Sequence, residues 1–254
     1  MLLAVDIGNT QTHIGAFRGE ELVEHWRFAT VRESTADELG AALRNLLALR
    51  GLAFDDLDAS VASSTVPELG PAWLTTAARY LDHEMLLVGP GVKTGMPIRM
   101  ENPRELGPDR LVNAVAAYDR VQGACIVVDF GTANTFDVVS AAGEYLGGII
   151  ALGIEISLEA LFERAARLPK VDLEEPRGLI GKSTVEAVRS GVVYGVAAQV
   201  DGIVRRVRAE LGEEAEAIAT GGLAGHIVPH TETIDAIDDL LTLTGLRLIH
   251  GRNG

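Results

Sequence analysis

Ile126-Val127-Val128-Asp129-Phe130-Gly131-Thr132-Ala133-Asn134-Thr135-Phe136-Asp137 has an altered copy at the start of the chain, Leu2-Leu3-Ala4-Val5-Asp6-Ile7-Gly8-Asn9-Thr10-Gln11-Thr12-His13. Each copy runs an apolar, β-like segment into Asp-x-Gly-Asn/Thr and then resumes a second apolar segment, residues 14–17 in one case and 136–139 in the other. That pattern is a hairpin with a polar tip. Glycine lets the tip turn tightly and brings backbone N–H groups close to a phosphate. Hydroxyls add donors, and the aspartate can hold a hydrated divalent cation. One such tip is an ordinary turn, because Asp, Gly and Asn dominate turns. Two copies, each after an apolar strand, reverse that reading.

The segments after each hairpin repeat as well. A turn at Arg18-Gly19-Glu20 leads to a strand over 22–28, and a turn at Ala142-Gly143-Glu144 leads to one over 145–151. Thr35-Ala36-Asp37-Glu38 is a capped start for a helix over 39–49 that Gly51 ends. Its counterpart begins at Ser157, with Leu158, Leu161, Phe162 and Ala165 on one face. Strands over 59–62 and 85–88 flank a helix over 71–80. Later, 215–220 reads as a strand ending in Gly221-Gly222, and 247–250 as a last strand. Strand-strand-strand-helix-strand-helix-strand, read twice, predicts an α/β fold of two similar domains, 1–116 and 117–254. With a polar tip from each facing one cleft, the natural ligand is a nucleotide polyphosphate gripped from two sides.

Composition narrows the partners. At 254 residues and 47% hydrophobic content the chain has core enough without staples. A net charge of −14 argues against nucleic acid or an anionic membrane as the main partner, since both need a basic footprint. A phosphate ligand therefore calls for a metal ion as mediator. Cys125 is the only cysteine and precedes a β-branched run, so it reads as a buried strand residue in a reducing cytosol. The start has no basic segment and too short an apolar run for a signal peptide.

Between the two halves lies Gly107-Pro108-Asp109-Arg110, followed by a helix over 111–121. Pro108 suits a first helical position, which places Asp109 in the opening turn, either capping the helix or facing the cleft. In the functional reading Asp109 accepts a proton from a substrate alcohol and Arg110 orients an anion. Gly181-Lys182-Ser183 is no P-loop, because the first glycine of that pattern falls at Pro176.

Taken together, Asp6-x-Gly8-Asn9-Thr10, Gly107-x-Asp109-Arg110, Asp129-x-Gly131-Thr132-Ala133 and Gly181-Lys182-Ser183-Thr184 resemble the type III pantothenate kinases. These are a branch of the acetate and sugar kinase and actin superfamily. The resemblance implies two actin-like (ribonuclease H-like) domains with a nucleotide cleft between them. It also implies ATP-dependent phosphorylation of the primary hydroxyl of pantothenate. By the same resemblance the loop Asp6, Gly8, Asn9, Thr10, Gln11, Thr12, His13 binds ATP phosphates, with Asp6 toward a divalent cation such as Mg²⁺. Thr132 contacts phosphate, Asp129 holds a monovalent cation (K⁺ or NH₄⁺), and Gly221 and Gly222 lie on the adenosine side. Asp109 is the general base, and Met100, Gly107, Pro108, Arg110 and Thr184 contact pantothenate. A cytoplasmic homodimer is implied too. Met100 stands where members often carry Tyr, which keeps apolar surface and removes a hydroxyl; Asn134 stands for a common Thr. Two other readings share the fold, a nucleotide-binding transcriptional regulator and a kinase for another small alcohol. Retention of Asp109 speaks against the first.

Overall fold

Apolar alternation over the first 29 residues produces three consecutive antiparallel strands, β1 (Leu2–Ile7), β2 (Gln11–Arg18) and β3 (Glu21–Ala29), in a computed structural model that describes residues 1–165 and 168–254. Helix α1 (Ala36–Ala48) follows. Thr35 caps it, accepting from the Glu38 N–H while the Glu38 carboxylate accepts from the Thr35 N–H, so the capping box read from the sequence is formed. Strand β4 (Ala59–Ser64), helix α2 (Leu69–Thr76, extended by a π-helical turn over Ala77–Leu81) and strand β5 (Met85–Leu87) complete a sheet in the order β3-β2-β1-β4-β5. The last two strands pair in parallel.

The second half builds the same object. Strands β6 (Cys125–Phe130), β7 (Ala133–Val139) and β8 (Tyr145–Leu152) pair antiparallel, and β9 (Glu216–Thr220) and β10 (Ala236–Ile237) add in parallel, giving β10-β9-β6-β7-β8. The helices here are α4 (Ile154–Arg164), the 28-residue α5 (Thr184–Leu211) and the short α6 (Ala224–Ile227). Cys125 is buried in β6 as expected, and burial pushes its thiol up to about 12. Helix α4 begins three residues before the expected Ser157, whose hydroxyl instead donates to the Gly153 carbonyl at 2.7 Å.

Helix α3 (Pro108–Val121) joins the halves in sequence, and α7 (Leu241–Gly251) ends the chain. The expected strand over 247–250 is thus a helix. Its leucines alternate with polar residues in the sequence, yet Leu241, Leu243, Gly245, Leu246 and Ile249 are buried at helical spacing. The chain divides into two compact units, one of residues 1–95, 102–116 and 241–254, the other of 96–101 and 117–240.

Each unit has its own core. In the first, Leu3, Val5, Ile7 and Ile14 meet Leu39, Leu43 and Leu47 of α1 and Trp73 of α2. Each such side chain contributes about 1.5–3 kcal/mol by leaving water. In the second, Ile126, Val128, Phe130 and Phe136 pack against Ala197, Val200 and Val204 of α5. The opposite face of the first sheet is covered by α7, which contacts β1, β2 and β4. Gly245 of α7 lies so close to α3 that an added Cβ would stand 2.2 Å from the Val112 carbonyl oxygen.

Candidate active site

Strand pleat puts Asp6 on the face away from the α1 core, with a polar row across four strands. The register pairs Arg27 with His13, His13 with Asp6 and Asp6 with Ser63. The buried Ser63 hydroxyl donates to Asp6 Oδ1 at 2.7 Å. Burial pushes the Asp6 carboxyl up to about 6; the Asp109 charge adds to the rise, and Ser63 and Arg27 oppose it. Asp109 is held above the usual carboxylate range as well, chiefly by burial, against the Arg110 N–H and guanidinium. Sequence reasoning named both carboxylates without placing them together. Asp109 is near enough for its charge to act on Asp6, and α7, which covers the sheet face carrying Asp6, lies against α3 at Gly245.

The first-turn position expected of Asp109 is formed. Pro108 opens α3, and the Asp109 carboxylate accepts from the Arg110 N–H, as a first-turn acid does. Its Oδ1 sits where a side chain on Gly107 would be, 2.5 Å from an added Cβ.

The first tip is Gly8-Asn9-Thr10, closed by Gly8 N–H donating to the Gln11 carbonyl at 3.1 Å. Asn9, Thr10 and Gln11 are exposed, whereas Thr12 and His13 are buried. Thr12 pairs its hydroxyl with that of Thr30 at 2.9 Å, and His13 Nε2 lies 3.1 Å from His25 Nδ1. Burial, then Arg27 and His25, push His13 down to about 3, so the ring stays neutral. Asn9 donates to the Thr65 hydroxyl at 3.4 Å and accepts from Arg32 at 3.2 Å. No sequence signal pointed to Ser63, Thr65 or Arg32; Ser63 and Thr65 lie more than fifty residues from their partners.

The second tip is one residue shorter. Phe130 pairs with Asn134, where Ile7 pairs with Thr12. The single-residue difference turns β7 over relative to its sequence counterpart, so Phe136 enters the core where His13 faces the polar row. Asn134 is fully buried, and neither polar atom of its side chain has a partner among the described residues. Asp129 pairs in register with Thr220 and Thr135, so a hydroxyl residue again flanks the aspartate on the parallel strand. Gly221 follows with φ +94°, and an added Cβ there would stand 2.5 Å from Asp129 Oδ1. Glycine alone keeps that approach open. Thr132 and Gly222 are exposed, Thr184 is the exposed first residue of α5 behind the Ser183 cap, and Met100 is half-buried. Asp6 to His13 and Gly107 to Arg110 therefore belong to the first unit, and Met100, Asp129, Thr132, Thr184, Gly221 and Gly222 to the second.

Two sheets of one topology, each with an aspartate near the end of its first strand, define a protein of the actin-like fold class. The solved structures agree on the fold: a Baf family transcriptional activator from Campylobacter jejuni matches 99% of this chain and 98% of its own at a TM-score of 0.60 and 18% identity. A ROK hexokinase from Thermus thermophilus matches 100% and 99% at 0.51 and 14% identity. The family model for type III pantothenate kinase matches residues 2–206, and the chain belongs to that family. Curated relatives named type III pantothenate kinase include one from Moorella thermoacetica, 53% identical over 100% of both chains, and one from Acidothermus cellulolyticus, 52% identical over 100% of this chain and 99% of its own.

Proposed function

We propose that Asp109 is the general base in the ATP-dependent phosphorylation of pantothenate, the reaction of the family to which this chain belongs and the first step of coenzyme A synthesis. The observation that supports this most is that Asp109, half-buried in the first turn of α3, and Asp6, half-buried on β1, both belong to the first unit, with the Asp109 charge felt at Asp6. Phosphoryl transfer asks for a positioned nucleophile and charge neutralisation more than for covalent chemistry. Asp109 takes the proton of the primary hydroxyl, and Arg110 orients the anionic end of pantothenate. Gly107, Pro108, Met100 and Thr184 complete the contacts to pantothenate, and Met100 offers apolar surface without a hydroxyl. Asn9, Thr10 and Gln11 face the phosphates, while Thr12 and His13 brace the hairpin. Thr132 holds phosphate from the second tip, and Gly221 and Gly222 face adenosine.

The residues fit the two cations. Asp6 is a carboxyl whose burial disfavours its own charge, a cost that a bound cation would offset. Among the described residues no group of three His, Cys, Asp or Glu could hold a metal alone. A divalent ion there would rely on phosphate oxygens and water besides Asp6, which is the habit of Mg²⁺. When bound, Mg²⁺ neutralises charge on the transferring phosphoryl group. At the second tip Asp129, whose Oδ1 lies close against the bare Gly221, is the carboxylate that would hold K⁺ or NH₄⁺. Leu146, Ile150 and Leu152, exposed on the edge strand β8, support a homodimer. No described helix is long and apolar enough to cross a membrane, and the lone buried cysteine fits a cytoplasmic enzyme.

The test is the mass of the product formed from pantothenate and ATP with and without Mg²⁺ and K⁺, for the wild type and Asp109→Asn. Mg²⁺-dependent 4′-phosphopantothenate from the wild type, nearly lost in the variant, is expected. Near-normal turnover by the variant would return Asp109 to helix capping.

A further inference from the structure

A tip that receives polyphosphate in a chain of net charge −14 needs local positive charge, and the sequence motifs supply none at the first hairpin. The fold supplies one from the segment after β3. Thr30 N–H donates to the Thr10 carbonyl at 2.9 Å, and the Thr30 and Thr12 hydroxyls meet at 2.9 Å, so this segment is bonded to the tip at two places. Val31 to Ser34 then closes a tight turn, with the Ser34 N–H donating to the Val31 carbonyl at 3.1 Å and Arg32 at its first central position. From there Arg32 Nη2 donates to Asn9 Oδ1 at 3.2 Å.

The Asn9 amide is oriented at both ends, by Arg32 on its oxygen and by Thr65 on its nitrogen. Arg32 is exposed, and among the described residues no carboxylate lies within ion-pair distance of it. A guanidinium carries five N–H donors in a planar fork that matches phosphate geometry. Asn9 engages one edge and leaves the rest directed to solvent beside the tip. Two other exposed arginines of the first unit are, by contrast, spent on acids: Arg50 pairs with Glu24 at 2.6 Å and Arg79 with Asp37 at 2.7 Å.

We infer that Arg32 is a phosphate-binding residue of this kinase, placed on the first tip by Asn9 and by the bonds of Thr30, and that it clasps the terminal phosphates of ATP. The inference rests on the reading of the first hairpin as a phosphate-holding tip. Arg32 acts by charge and bidentate hydrogen bonding, so its effect grows with the number of phosphates on the ligand.

The experiment is calorimetric binding of ATP and of AMP to the full-length wild type, Arg32→Ala, Arg32→Lys and Asn9→Ala, with melting temperatures recorded for each. Arg32→Ala is expected to weaken ATP binding by a factor of about 10–100 while AMP binding and the melting temperature stay within error. Arg32→Lys, which keeps charge without the fork, should fall between the two. Unchanged ATP affinity in Arg32→Ala overturns the inference, and so does an equal loss for AMP and ATP, which marks a merely structural anchor. If Asn9→Ala weakens ATP binding and Arg32→Ala does not, the tip stands as the phosphate site without Arg32. If neither weakens it, the reading of the tip falls with the inference.

Discussion

Asp6→Asn should make the enzyme more stable while abolishing its activity. The folded chain holds the Asp6 proton up to about pH 6, whereas an unfolded chain holds it only to about pH 3.8. A rise of about two units corresponds to about 3 kcal/mol, and the residue's remaining solvent contact cuts that to about 1–2 kcal/mol. The sign follows from linkage: a carboxyl with a raised folded pKa adds stability while protonated and loses it as pH climbs through the window from 3.8 to 6. Asparagine keeps an acceptor for the Ser63 hydroxyl and removes the charge. The variant should therefore melt about 2–8 °C above the wild type at pH 8 without nucleotide or divalent ions. At pH 4.5 the gap should shrink to about a third of that value. Scanning calorimetry of both proteins at the two pH values, beside a kinase assay, measures each term. Addition of Mg²⁺ and ATP should raise the wild-type melting temperature more than that of the variant. A variant that melts at or below the wild type at pH 8, or a gap independent of pH, would refute the argument that burial of the Asp6 charge costs stability for the sake of the site.

Other perturbations follow the same physics. Asp109→Asn should lower turnover by a factor of about 10²–10⁴ with ATP binding retained, as read from single-turnover rates and calorimetry. Gly245→Ala would set a Cβ 2.2 Å from the Val112 carbonyl oxygen, so it should destabilise the chain by about 2–4 kcal/mol in urea melts and slow turnover through α3, which carries Asp109; unchanged kinetics in the folded fraction would separate packing from catalysis. Asn134→Val removes a buried amide that has no partner among the described residues and should stabilise by about 1–3 kcal/mol, whereas a lower melting temperature would reveal a buried water bonded to Asn134. If Asp129 organises K⁺, replacing K⁺ with Na⁺ should impair the wild type far more than Asp129→Asn, and equal sensitivity in both would remove that role.

The sequence by itself determined what depends on local chemistry. Alternating apolar strands around Asp-x-Gly, the capping box at Thr35 and Glu38, and Pro108 at the first turn of α3 are written in neighbouring residues, and the structure forms each of them. The repeat then fixed two sheets of one topology. Tertiary structure decided the rest, because long-range packing overrides local pattern. The leucines of 241–251 alternate as a strand would, and become a helix because an apolar stripe at helical spacing can be buried against β1, β2, β4 and α3. That helix brings residues numbered above 240 to the sheet face that carries Asp6, whose carboxyl the Asp109 charge helps to raise. Ser63 reaches Asp6 from a parallel strand 57 residues away, and no spacing rule in a sequence records such a register. The one-residue difference between the two tips likewise passes unnoticed as sequence, yet it inverts a strand, because side chains on a pleated backbone alternate with period two.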